Sequence, residues 1–297
     1  MRVLVTGSDG LVGREVVSEL KNRKHSVIEF DLTEGHNILH KSNLEKALKN
    51  IDLVIHLAGI IDNSNPNLWE VNVTGTKNII EESVKNRVKK FIFLSSTGVY
   101  GETHHMITED SAVHPQNQYE KSKCEAEQIV LNHQEEIHVN VIRSAMILGP
   151  NAYWKSMFKI LKKDFPLPCS GNNHFQIIYV RELVRSMITI LENGEPGEIY
   201  LVAGKEQWTL REFCKKSKGI MGKKERIWSI PKLFALIFGK IMRIKLISRD
   251  NIRHLCKERK YSLEKIEDLG YVQKYPLKEA IIETLEELKE LDPFQKN

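Results

Sequence analysis

The first half of the chain alternates between short apolar runs and longer mixed stretches. Val3–Val5, Val27–Phe30, Leu53–Leu57, Phe91–Leu94 and Val139–Ile142 are short runs dominated by apolar residues. Between them lie Gly13–Arg23, Leu44–Lys49, Val71–Lys85 and Tyr119–His133, which read as helices. Runs without a polar face belong to a sheet covered on both sides, and strand–helix alternation makes that sheet parallel. A further helix near Arg181–Leu191 and a strand at Glu198–Val202 end the pattern. The expected fold class is α/β, a doubly wound parallel sheet with a smaller, mostly helical C-terminal domain.

The pattern changes after residue 150. Residues 151–173 carry Pro166, Pro168 and Gly171 with Trp154, Phe158 and Phe165, and show no strand–helix unit. Residues 205–297 are helix-rich and basic; Lys240, Arg243, Lys245, Arg249, Arg253 and Lys257 face only Asp250 in that run. The expected division is 1–150 plus 176–204 for a cofactor and 151–175 plus 205–297 for a substrate.

Composition narrows the classes. With 297 residues, 41% hydrophobic and 28% charged, the chain is long enough to bury a large core and too apolar to be disordered. A net charge of +5 is mild for a nucleic-acid binder, so none is expected, and small anions remain possible ligands. Cys124, Cys169, Cys214 and Cys256 are far apart, without a metal-ligand spacing, which fits a reduced, cytoplasmic chain without metal. The first strand starts at Arg2, leaving no room for a signal peptide. Leu233–Phe238 is far short of the ~20 residues that span a bilayer. Ile230–Ile247 is open to three readings, the lining of an apolar pocket, docking on a membrane surface, and a core helix; the core helix is preferred, so no membrane contact is expected.

The sharpest chemical signal is Thr6-Gly7-Ser8-Asp9-Gly10-Leu11-Val12-Gly13, between a strand and a helix. Gly7 and Gly10 permit a tight turn and close approach of a pyrophosphate; Gly13 lets the helix pack near the strand. The helix N-terminus supplies N–H donors for phosphate, with Asp9, Leu11 and Val12 lining the turn. The second strand ends in Asp31, where a carboxylate accepts from the adenosine ribose and repels a 2′-phosphate. These features make the fold Rossmann-like and the expected cofactor NAD rather than NADP.

Tyr119 and Lys123 stand four apart on one helix face. A nearby ammonium and a positive nicotinamide ring favour phenolate, so Tyr119 can take a hydroxyl proton while hydride leaves the adjacent carbon. Lys123 can also hold the cofactor ribose. Ser95-Ser96-Thr97 follow an apolar strand, at the edge where α/β proteins bind ligands, and can orient a substrate oxygen.

Together, TGSDGLVG, HLAG (His56–Gly59), VNVTGTKN (Val71–Asn78), SSTGVYG (Ser95–Gly101), YEKSK and RSAMILGP (Arg143–Pro150) resemble the extended short-chain dehydrogenases/reductases, and more narrowly the NAD-dependent epimerase/dehydratase group. DLGY (Asp268–Tyr271) resembles that group's C-terminal region. The resemblance implies Ser96, Tyr119 and Lys123 as the catalytic set. It also implies Leu57, Ala58 and Gly59 along the cofactor, with Ser95 beside it and Asn37-Ile38 at adenine, where the family often has Asp. It further implies a homodimer through the helices at Val71–Lys85 and Tyr119–His133.

The implied reaction is reversible hydride transfer on a nucleotide-linked sugar. Dehydratases of the group resemble Thr-Asp-Glu at the position where this chain has Ser96-Thr97-Gly98, so epimerisation or plain dehydrogenation fits better. Two familiar anchors are replaced: Met146 stands for an Asn and Phe175 for an Arg. Ser96, Thr97, Tyr119, Met146, Phe175 and Arg249 are the expected substrate contacts, with Arg253 as an alternative cation. Phe175, Met146 and Ile230–Ile247 motivate a second reading, an NAD(P)-dependent dehydrogenase or reductase of an alcohol on an apolar, sterol- or flavonoid-like molecule. A third is a non-catalytic NAD sensor, against which the intact Ser/Tyr/Lys set speaks.

Overall fold

The computed structural model describes residues 1–103, 105–241 and 249–290, with side chains omitted at 238–241, 249–250 and 290. In chain order the elements are β1 (Arg2–Thr6), α1 (Leu11–Asn22), β2 (Ser26–Phe30), α2 (Lys41–Ala47), β3 (Leu53–His56), α3 (Thr76–Lys85), β4 (Lys90–Ser96), α4 (Gln118–Leu131) and β5 (His138–Ser144). Then come β6 (Met146–Leu148), α5 (Ala152–Lys162), β7 (Ile177–Tyr179), α6 (Val180–Asn193), β8 (Ile199–Val202) and α7 (Leu210–Ile220). The chain closes with α8 (Lys232–Ile241), α9 (Arg249–Leu255), α10 (Glu264–Asp268) and α11 (Leu277–Glu290).

Six strands form one parallel sheet in the order β2-β1-β3-β4-β5-β8. Strand residues alternate between two buried layers, which is why the runs are apolar throughout. On β1, Val3 and Val5 join the layer beneath α1 and α6, whereas Leu4 joins the layer beneath α2, α3 and α4. The strand order reverses between β1 and β3, so the loops after these strands open a crevice at the carboxyl edge.

Around Trp154, which is 1% exposed, the C-terminal helices extend the layer that holds Val3 and Val5. Its ring lies 5.9 Å from Phe158 and 5.6 Å from Phe213, and its indole N–H donates to the Ile147 carbonyl at 2.7 Å. The Asn173 amide donates to the carbonyls of Leu255 and Lys257, and Tyr261 pairs with Ile107, so the last third returns to the first half.

Ile177–Tyr179 pairs with Met146–Leu148 in a separate two-stranded ribbon, and β8 rejoins the large sheet, with α6 packed beside α1. One expectation is corrected. The stretch 230–247 is not a wholly buried core helix. Ala235 is buried, but Leu233, Phe234 and Ile237 are 65%, 61% and 50% exposed. Met242–Ser248 lie outside the described residues.

Candidate active site

The turn after β1 needs its glycines. Gly7 has φ +72°, and a Cβ there would lie 2.7 Å from the Ala58 nitrogen. A Cβ on Gly13 would lie 2.1 Å from the Gly7 carbonyl oxygen. Backbone therefore packs on backbone, and Leu57, Ala58 and Gly59 sit against the glycine turn. Gly10 is the N-cap of α1 and brings no side-chain cap, so first-turn N–H groups remain for an anion.

Asp31 closes the other side. Its carboxylate accepts from the Asp9 N–H at 3.1 Å and from the Thr33 N–H and hydroxyl. A carboxylate has further lone pairs, so ribose hydroxyls can still bind. Glycine cradle, bare helix end and terminal acid all fit NAD. Asn37 uses its amide oxygen on the Leu39 N–H, which leaves the amide nitrogen for adenine. Ile38 is buried against Gly75 and can offer only its edge.

Ser96, Tyr119 and Lys123 converge beyond the end of β4. The Ser96 hydroxyl caps a short 3₁₀ turn by accepting the Gly98 N–H at 3.0 Å, and it lies close enough to the Tyr119 phenol to act on its titration. Burial pushes that phenol up, partly opposed by Ser96. The Lys123 ammonium donates to the Leu94 carbonyl at 2.9 Å and lies 4.7 Å from the Phe93 ring centre. Burial holds it down at about 8.

Several supports were not singled out from the sequence. Asn72 exchanges hydrogen bonds with the backbone of Ile60 and donates to the Ser122 hydroxyl, tying the loop after β3 to α4. Asn63 accepts the Tyr119 N–H at 2.9 Å. Asn117 and Glu120 form a capping box that starts α4 one residue before Tyr119. Glu120, 1% exposed, also pairs with buried Lys257 at 3.2 Å, so the C-terminal segment braces the catalytic helix. A capping box is readable locally; Lys257 lies 137 residues away and leaves no local signal.

Other expected site residues are placed differently. The Ser95 hydroxyl donates to Glu127, which also grips Arg143, so this side chain faces away from the cofactor. Thr97 is buried and accepts the Tyr261 O–H at 3.0 Å, which removes it as a substrate contact. Phe175 is 0% exposed and packs 5.3 Å from Phe213; it is core, not pocket lining. Met146 stays half-buried at the edge of the core. Arg249 opens α9, and its side chain lies outside the description, as does His104. Exposed Arg253, one turn further along α9, donates to the Gln116 side chain, near the start of α4.

His56 is a structural group. Thr76 donates its hydroxyl to the Asn72 carbonyl, so His56 Nε2–H donates to Thr76 at 3.0 Å and Nδ1 accepts from Thr6 at 2.6 Å. Complete burial keeps the ring neutral, down to about 3. A cleft of about 680 Å³ between α5, α7 and α11, lined by Lys162, Lys216 and Lys278, includes none of the catalytic residues.

This geometry is that of a nicotinamide-dependent short-chain enzyme. A family model described as "NAD dependent epimerase/dehydratase family" matches residues 3–203, and the chain belongs to that family, with NAD as its cofactor. It is 28% identical over 273 residues to UDP-glucose 4-epimerase of Vibrio cholerae, covering 80% of this chain and 82% of the relative. It is 26% identical to N-acetyl-alpha-D-glucosaminyl-diphospho-ditrans,octacis-undecaprenol 4-epimerase of Escherichia coli O157:H7, covering 96% and 94%. Among solved structures, UDP-glucose 4-epimerase of Thermotoga maritima with UDP-glucose shares the fold at TM-score 0.81, with 22% identity and coverage of 98% and 99%.

Proposed function

We propose that this chain is an NAD-dependent epimerase that inverts a hydroxyl-bearing carbon of a nucleotide-linked sugar by removing and returning one hydride. The observation that carries this reading is the Ser96–Tyr119–Lys123 cluster without an uncommitted acid beside it. Among the described residues, Glu120 is engaged by Lys257 and two backbone N–H groups, Glu127 by Ser95 and Arg143, and Glu109 by the Leu201 N–H. Dehydration needs an added proton donor, and none of these is available for it. The curated relatives named above support a sugar on a diphosphate as the substrate.

Bound NAD supplies a hydride acceptor and a positive ring that favours phenolate. Ser96 orients the substrate hydroxyl, and Tyr119 takes its proton and later gives it back. Lys123 holds the cofactor ribose and keeps a positive charge near the phenolate. The segments 151–175 and 205–297 hold the substrate, with Met146 at the sugar and Arg253 on the diphosphate, a charge-assisted contact. The apolar-alcohol reading loses one of its main motives, because Phe175 is core. Free thiols and the absence, among the described residues, of a helix long and apolar enough to cross a membrane support a cytoplasmic enzyme. A homodimer through α3 and α4 is proposed from the family resemblance, with Trp69, 45% exposed just before α3, as an apolar side chain for it to cover.

The test is proton NMR of NAD-loaded enzyme with UDP-glucose, UDP-N-acetylglucosamine and dTDP-glucose. A second sugar epimer should appear without net NADH. NAD binding with none of the three converted overturns the substrate class; a dehydrated keto-sugar overturns the reaction.

A further inference from the structure

The exposed apolar side chains of 228–237 sit on an anchored frame. The Trp228 carbonyl accepts the Leu167 N–H, the Ile230 N–H donates to the Leu167 carbonyl, and Arg211 donates to the Ile227 carbonyl, each at 2.9 Å. Trp228 nevertheless stands 67% exposed. On α8, Leu233, Phe234 and Ile237 fall within one helical quadrant, while buried Ala235 points the other way, into an apolar cavity with Leu161, Leu210 and Ile252. Four large apolar side chains thus point outward.

Charge accompanies them. Lys223, Lys224, Arg226 and Lys232 are exposed around the same segment. In sequence, nothing acidic occurs between Glu225 and Asp250, whereas Arg226, Lys232, Lys240, Arg243, Lys245 and Arg249 do. Apolar residues interleaved with cations and flanked by an exposed Trp suit the headgroup boundary of an anionic bilayer. A second copy is a poorer occupant: a twofold contact sets the same patch against itself and would oppose cation to cation. At ten residues α8 is too short to span, so the contact lies in the plane of the surface.

We propose that Trp228 and the Leu233–Phe234–Ile237 face of α8, with the cations around them, dock this protein on an anionic lipid surface. The membrane-surface reading of the stretch thereby replaces the preferred core helix, which the exposed Leu233, Phe234 and Ile237 do not fit.

Flotation with vesicles of phosphatidylcholine, with and without phosphatidylglycerol, tests the docking. The protein should float with the anionic vesicles and be released by high salt. Leu233→Gln/Phe234→Gln should lower its vesicle affinity about tenfold or more, since it removes most of the inserted apolar area. Both side chains are exposed, so melting temperature and NAD binding should not change. Lys223→Glu/Lys224→Glu, a charge reversal outside α8, should lower binding independently. Three results each overturn the proposal: no flotation at low salt, equal flotation with neutral vesicles, or unchanged flotation of both variants. A dimer in sedimentation velocity that the Gln variant turns into a monomer would reassign the face to a second copy.

Discussion

At the scale of single residues, burial decides more than sequence neighbourhood does. Tyr119 and Lys123 share a helix face, yet desolvation lifts the phenol and depresses the ammonium. Tyr119→Phe keeps the ring and removes the proton acceptor. It should retain NAD affinity within about threefold and lose roughly 10²–10⁴ in turnover, measured by NMR conversion and NAD titration. His56 carries a second prediction. Its ring titrates at about 3 when folded, against ~6.5 unfolded. Between these values the unfolded chain binds more protons, so stability is complete above pH 6.5 and falls as the pH drops toward 3. At pH 5 the loss from this ring is about 2 kcal/mol. Urea unfolding of wild type and His56→Asn at pH 7 and 5 isolates it: wild type should lose about 2 kcal/mol more than the variant, and equal losses would assign acid lability elsewhere. These residue identities were legible because glycines, Tyr119-x-x-x-Lys123 and post-strand hydroxyls are local patterns. Which hydroxyl faces the site came from the family resemblance and not from the local pattern: Ser95 and Ser96 differ only in the strand's alternation, which sends one toward Glu127 and the other toward Tyr119.

Elements are where the site gains its rigidity. The α4 helix is capped by Asn117 and Glu120, tied to the β3 loop by Asn72, and braced by Lys257 from far along the chain. Lys257 and Glu120 are both almost fully buried, and burial lowers the Lys257 pKa while Glu120 opposes that. Removing one partner of such a pair leaves an unpaired buried charge. Lys257→Met should therefore cost about 3–5 kcal/mol in urea unfolding, and Glu120→Gln added to it should recover a substantial part. If the double variant is no better than the single one, the pair is not what holds the segment. The strand and helix pattern was readable because each βα unit closes locally over a few tens of residues. The Phe175 misreading has the opposite cause: its neighbour Phe213 lies on α7, and no local period marks such a contact. Nor does apolar spacing alone tell a core helix from α8, whose large side chains lie outside.

For the whole molecule, the proposed function requires the sheet's carboxyl edge and the C-terminal helices to act on one substrate. The sheet's carboxyl edge carries the glycine turn, Ser96 and Tyr119; α9 brings Arg253 to Gln116, just before Tyr119. The sequence made the cofactor half legible because phosphate binding needs glycines at fixed offsets. The substrate half was not, since a single exposed cation among many in a basic stretch carries no pattern. Ligand-linked stability separates the two. NAD at ~100 times its dissociation constant should add about 2.7 kcal/mol, or roughly 4 °C in melting temperature for a chain of this size. UDP or dTDP added to the NAD-loaded protein should raise it further if, as proposed, Arg253 holds the diphosphate. Arg253→Ala should keep the NAD shift, lose most of the nucleotide shift, and raise KM about tenfold or more with kcat nearly unchanged, as expected when binding is removed equally from ground and transition states. A nucleotide shift that survives in Arg253→Ala would move the anchor to another cation. An NAD shift that vanishes with it would mean that α9 supports the cofactor half, which the placement of Arg253 on Gln116 does not predict.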